Sequence, residues 1–198
     1  MEKKFILTDK FVINSFGIKL FQIKCTKSFK YAQKGDFGGY VEKEGNLDQE
    51  NDAWVFGNAR VFGNARVSSN ARVSGDAWVF GYAWVSGDAR VFGNARVFGN
   101  ARVSGDAWVS GNAWVSGDAD IENDNEHCGF DGFGSCNRHT HAYMTKEKKV
   151  EIICGCFRGS IEEFEKKVEE THSGTVYEKQ YKSIINVIKI KFGLTDFT

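Results

Sequence analysis

The sequence predicts a mainly β fold centred on a parallel β-solenoid, and three observations predict it. The triplet Ala-x-Val recurs every six residues from Ala53 to Ala119, twelve times in one frame, with Ile121 replacing the last valine. The pair joining successive triplets is mostly Gly-Asn or Gly-Asp. Proline is absent, and the 22 glycines fall largely in that same period, which marks ordered turns rather than low complexity.

The physical reading is direct. Ala-x-Val-x is a short strand whose alternate residues share a face. Alanine and valine line one face, and the variable residues line the other. Glycine accepts the positive φ of a tight bend, and asparagine or aspartate tolerates it. One hexapeptide cannot bury its own apolar face, so successive units must stack. Stacked strands lie about 4.8 Å apart in parallel sheets.

Three segments follow. Residues 1–38 read as an N-terminal cap: a β-hairpin over residues 3–25, with a strand over Lys10–Asn14, a turn at Ser15-Phe16-Gly17 and a strand over Ile18–Cys25, then a basic linker over Lys27–Gly38. A solenoid needs such ends, because bare sheet edges polymerise. Residues 39–122 form the solenoid. Its first part is degenerate: Gly39-Tyr40-Val41 and Gly45-Asn46-Leu47 keep the frame, with Val41 and Leu47 in the alanine slot.

Residues 123–198 read as a separate α+β module of ββαα order. Asn123–Asp131 is expected to be a polar loop, and Ala142–Thr145 and Val150–Phe157 two strands. Ser160-Ile161-Glu162-Glu163 is a capping box, opening a helix to about His172 that stops at Ser173-Gly174. A second helix runs from Val176 to about Lys191.

The Ala59/Val61 and Ala65/Val67 pattern resembles the hexapeptide-repeat, left-handed parallel β-helix family. That resemblance implies three hexapeptides per triangular coil of 18 residues, hence four regular coils about 19 Å tall, and it implies the left hand. KGDFGGYVEKEGNL ahead of the repeat, with FGSCNRHTHAY and CGCFRGSIEEFEKKVEETHSG after it, resembles a recurring group of phage and prophage proteins. That group is labelled polymer-forming or hexapeptide-transferase-like. The resemblance implies a phage-encoded accessory protein and no catalytic residue.

With 18 residues per coil, residues 18 apart form columns. The outward columns read Trp54-Arg72-Arg90-Trp108 on a first side, Arg60-Trp78-Arg96-Trp114 on a second and Arg66-Trp84-Arg102-Asp120 on a third. Phe62, Phe80 and Phe98 run beside the second column. Stacked arginine and tryptophan satisfy each other as cation–π pairs, and they are also the residues enriched at binding hot spots. The candidate binding residues are therefore Trp54, Arg60, Phe62, Trp78, Phe80, Trp84, Arg96, Phe98, Trp108 and Trp114. The second side is the foremost candidate interface, and the third, with serine after valine, is expected to be solvated.

Charge constrains the partners. Lysine plus arginine equals aspartate plus glutamate at 26 each, and residues 45–122 carry 9 acidic against 6 basic residues. That balance makes direct nucleic-acid binding an unfavoured expectation, since phosphate contacts dominate such affinity. No apolar run is long enough to span a membrane. The opening MEKKFILTDKF is unlike a signal peptide, and an odd count of 5 cysteines fits reduced thiols, so a cytoplasmic location is expected.

Hexapeptide-repeat acyltransferases need a histidine base offered from a coil or an extruded loop. Here the four histidines, His127, His139, His141 and His172, all follow the repeats, and no insertion interrupts them. Cys136-x2-His139-x-His141 is a weak zinc candidate, and Cys154 and Cys156 read as alternating strand residues. Ser135, Arg138, Thr140, Tyr143 and Arg158 are candidates for holding a small ligand or phosphate, with surface ion pairs the alternative for the arginines. No cofactor is implied. The expectation is a non-enzymatic interaction protein whose partner is a host protein or ribonucleoprotein. An anti-CRISPR or other anti-defence inhibitor is one concrete form. Self-assembly into a homo-oligomer and acyl transfer are the alternatives.

Overall fold

The computed structural model describes residues 2–194. The chain begins with an antiparallel hairpin, β1 (Phe5–Ile13) and β2 (Lys19–Cys25), followed by β3 (Phe37–Val41). Twelve two-residue strands then recur every six residues, from β4 (Trp54–Val55), β5 (Arg60–Val61) and β6 (Arg66–Val67) to β13 (Trp108–Val109), β14 (Trp114–Val115) and β15 (Asp120–Ile121). They form three parallel sheets, each pairing residues 18 apart, as in Val61↔Val79 and Val55↔Val73. The predicted solenoid is present, as four regular coils above one irregular coil.

The inward rows are alanine and valine throughout, and from Val55 to Val109 they are sealed from solvent. Glycine takes the corners at φ between 57 and 73, and Ser69 takes one at φ 58.

The frame of the first coil differs from the expectation. Val41 pairs with Val61, and Leu47 bridges Val67, each across 20 residues rather than 18. Val41 and Leu47 thus occupy the valine slot, and Gly39 the alanine slot. A Cβ on Gly39 would lie 2.7 Å from the Ala59 carbonyl, so alanine cannot fit there. The extra two residues sit in the corner between Leu47 and Val55.

That corner closes the lower end of the solenoid. Each coil donates its N–H groups to the carbonyls of the coil above, as Phe56 does to Val73 at 2.8 Å. The lowest regular coil therefore has carbonyls that need donors. Tyr40 and Glu42 supply N–H groups to Ala59 and Val61 on the second side. The buried Lys4 ammonium reaches the carbonyls of Asn51 and Ala53 on the first side, the latter at 2.9 Å. Burial pulls that ammonium down to about 8, with Asp48 and Asp52 opposing. On the third side the Asn46 amide donates to Gly63 and Ala65 at 3.1 and 2.8 Å, while its oxygen accepts from the Lys43 N–H. Asn46→Ala leaves those groups buried and unpaired, and is expected to cost about 2–3 kcal/mol in urea unfolding. An unchanged midpoint would mean that water replaces the amide.

The hairpin lies within the expected residues 3–25, and its first strand is longer than Lys10–Asn14. That strand starts at Phe5, and Phe37 and Gly38, assigned to the linker, belong to β3. The C-terminal module also has more sheet than expected: β16 (His127–Phe133), β17 (Arg138–Met144), β18 (Val150–Cys154) and β19 (Phe157–Gly159) form one antiparallel sheet in that order. The expected polar loop is thus largely β16, and ββαα becomes ββββαα. Helices α1 (Ile161–His172) and α2 (Val176–Lys191) follow, with the Ser160/Glu163 capping box formed.

The sheet is covered on both faces. Ala142, Ile152 and Cys154 pack on the helices, and Tyr143 and Ile153 join the solenoid core. The module therefore caps the upper end: Ala119 bridges Thr145, and Asp124 accepts the Trp108 N–H at 2.7 Å. Among the described residues no helix is long and apolar enough to cross a membrane.

Candidate interaction surface and capping junction

The outward columns form as predicted, but the caps cover part of them. Trp54 is a core residue, 1% exposed, against Phe5 and Phe29 at ring distances of 6.3 and 5.3 Å. Alternation alone assigned it outward; the N-terminal cap lies over that end of the first side. Phe62 is buried as well. The hairpin tip folds down so that Phe16 sits about 6 Å from Phe62, Trp78 and Phe80. Phe62, Phe80 and Phe98 stack in parallel at 5.0 Å per step, matching the strand spacing. The foremost candidate side is thus partly occupied by the chain itself.

Most solenoid arginines lie over an aromatic ring. Arg60 and Arg96 flank Trp78 at 5.1 and 5.2 Å, Arg90 lies 4.2 Å from Trp108, and Arg102 5.5 Å from Trp84. Arg72 takes Tyr31 from the cap instead. Among the described residues no solenoid arginine forms an ion pair; Arg158 does, with Glu151 at 2.7 Å. For Arg158 the ion-pair alternative holds.

Three indoles remain exposed: Trp84, Trp108 and Trp114. Trp84 stands on the third side, which was expected to be plainly solvated, with its indole N–H donated to Ser68 at 3.0 Å. It separates two grooves. One is lined by Lys43, Asn64, Arg66 and Tyr82, the other by Glu44, Asp48, Gln49 and Ser68. Tyr82, the one aromatic at a corner, is 69% exposed. Its replacement of the usual Asn/Asp was a signal in the sequence.

At the upper cap the zinc candidates are not brought together. His139 and His141 face the solenoid, whereas Cys136 opens with Cys154 and Cys156 onto a cavity beside α1 and α2. Among the described residues no group of three histidine, cysteine or acidic side chains has metal-binding geometry. Cys154 and Cys156 do not alternate on a strand, because β18 ends at Cys154 and Gly155 turns the chain.

His141 is instead joined by His127, which sequence reasoning had placed in a loop. His141 Nδ1 lies 3.0 Å from the Trp114 carbonyl, and its Nε2 lies 3.1 Å from His127 Nδ1. A carbonyl only accepts, so neutral His141 donates from Nδ1 and accepts at Nε2. His127 must then donate from its own Nδ1. Burial, reinforced by the neighbouring His127, pushes His141 down to about 3, and burial also lowers His127 despite Asp124. His139 is oriented by Asp131 at 2.9 Å, and that contact holds the Asp131 carboxyl below its usual range.

Coils of 18 residues, three parallel sheets and two distinct caps define a parallel β-solenoid protein. Its repeats match the family model for the YdcK beta solenoid repeat at residues 53–69, 71–87, 89–105 and 95–111, all within the solenoid. No curated protein matches the chain.

Proposed function

We propose that this chain is a non-enzymatic interaction protein that uses the third side of its solenoid to hold a macromolecular partner. The supporting observation is Trp84, exposed between two grooves, with Tyr82, Arg66 and Arg102 around it and, among the described residues, no carboxylate paired to either arginine. An anchor tryptophan beside arginines free of ion pairs among the described residues is the composition of a binding hot spot. Because the solenoid segment is net acidic, a protein surface suits it better than a bare phosphate backbone. Following the resemblance of its flanking segments, we take the protein to be of phage type, and its partner to be a host protein or ribonucleoprotein. An inhibitor of bacterial immunity, of the anti-CRISPR kind, is the concrete form.

The test is affinity purification of tagged protein from bacterial lysate, with and without RNase, read by mass spectrometry beside a Tyr82→Ala/Trp84→Ala variant. Both side chains are exposed, so the variant keeps its fold. A stoichiometric partner retained at least about tenfold less by the variant is expected, since hot-spot residues contribute about 2 kcal/mol or more. A preparation without a partner, or equal retention by the variant, overturns the reading.

A further inference from the structure

The ladder on the second side stops one rung short of its cap. Trp78 has a guanidinium to either side, Arg60 and Arg96. Trp114, in the last coil, has Arg96 at 5.2 Å from the coil below. No further coil supplies a guanidinium from above. At that place lies a cavity of about 240 Å³ between solenoid and cap, with Trp114, Asn112, Ile153, Arg138 and His139 in its wall.

The wall combines an indole, an aliphatic surface and an unpaired cation. Arg138 lies across Gly155, where a Cβ would sit 2.6 Å from its Nη1 and 2.7 Å from its Cδ; glycine leaves the room for it. Arg158 is the one arginine in an ion pair among the described residues, so the guanidinium of Arg138 has no carboxylate to neutralise it. Asp131, on the neighbouring strand β16, is committed to His139 and to the Asn112 amide. A second cation in this cavity would meet Arg138, and a wholly apolar ligand would leave that charge unanswered.

We propose that the cavity binds a planar heteroaromatic ring carrying an anionic group, the chemistry of a nucleoside monophosphate. The ring takes the place of the missing rung on Trp114, against Ile153, and the anion meets Arg138 at the mouth. Stacking on an indole tolerates any base, and a guanidinium is matched to phosphate oxygens. The volume is below the roughly 300–1,000 Å³ of drug-sized sites, so it holds one ring system with the phosphate at the opening. Its place between solenoid and cap is where ligand sites concentrate. The third side takes no part in this site, so Tyr82→Ala/Trp84→Ala leaves it intact.

The test is calorimetric titration of the full chain with AMP, GMP, CMP and UMP, with their parent nucleosides, and with inorganic phosphate. Saturable one-to-one binding of at least one nucleotide is expected, about tenfold or more tighter than its nucleoside. Arg138→Gln, at an exposed position, is expected to bring the nucleotide down to nucleoside affinity. Trp114→Leu is expected to weaken both alike. Binding of none of the four nucleotides overturns the proposal. Affinity unchanged by Arg138→Gln, or phosphate competing as well as the nucleotide, overturns it equally.

Discussion

Val79→Asp is expected to unfold the middle of the solenoid. Val79 is sealed from solvent and stacked between Val61 and Val97. The inward rows around it are alanine and valine alone, so no donor is available to a carboxylate. The aspartate must ionise without a partner or bind a proton and bury a polar acid; either costs several kcal/mol. Loss of the valine adds about 1.5–3 kcal/mol. A solenoid is held by contacts between neighbouring coils, so the damage should spread to the coils on either side before it reaches the caps. Hydrogen exchange should show lost protection from about residue 55 to residue 103, with the hairpin and C-terminal sheet less affected. Circular dichroism should show a broad, lowered transition beside Val79→Ile as the conservative control. A variant that melts like wild type would mean that the valines do not form the dry interior.

What was legible in the sequence and what was not have separate physical causes. The regular coils were legible because each position repeats the same local demand: a small inward residue, a β-branched inward residue and a corner that needs positive φ. The slip of the first coil was hidden because valine and leucine suit either inward slot; only the paired distance to Val61 and Val67 decides. Trp54 and Trp78 occupy equivalent places in the repeat. Nothing near Trp54 reports that Phe5 and Phe29, remote in sequence, will cover it. Strand β16 was missed for a different reason. Its alternation is present, with Cys128 and Phe130 toward the helices, but its other face carries His127, Gly129 and Asp131. That face is tied to its surroundings by hydrogen bonds, His127 to His141 and Asp131 to Asn112 and His139, with Gly129 and Asp131 left exposed, and a hydrophobicity pattern does not register it. The histidine junction followed from the same gap.

Acid should weaken the junction between the solenoid and its upper cap, through His141. In the folded chain this imidazole is 1% exposed and is held down to about 3, whereas in the unfolded chain it takes a proton near 6.5. Below 6.5 the unfolded state therefore binds a proton that the native state refuses. The stability is fully present above 6.5 and is lost as pH falls toward 3. Each pH unit in that window removes about 1.4 kcal/mol, so about 2 kcal/mol is gone by pH 5. The surroundings offer no relief. His127 and His139 lie on its flanks, Tyr143 is its neighbour on the same strand, and Trp114 presents a carbonyl already satisfied by Nδ1. Asp131 is engaged by His139, and Asp124 lies 3.6 Å from His127 Nε2. A proton on Nε2 of His141 would force His127 to accept at Nδ1 and to carry its own proton on Nε2, where Asp124 stands at 3.6 Å, beyond hydrogen-bond distance. His127, lowered in the same direction, adds to the slope. Urea unfolding between pH 8 and 5 checks this beside His141→Gln. The variant is expected to be less stable at pH 8 and to lose less stability on acidification, so that the two curves converge. Wild type and variant falling in parallel from pH 6.5 to 5 would show that the buried imidazole is not what the native state keeps neutral.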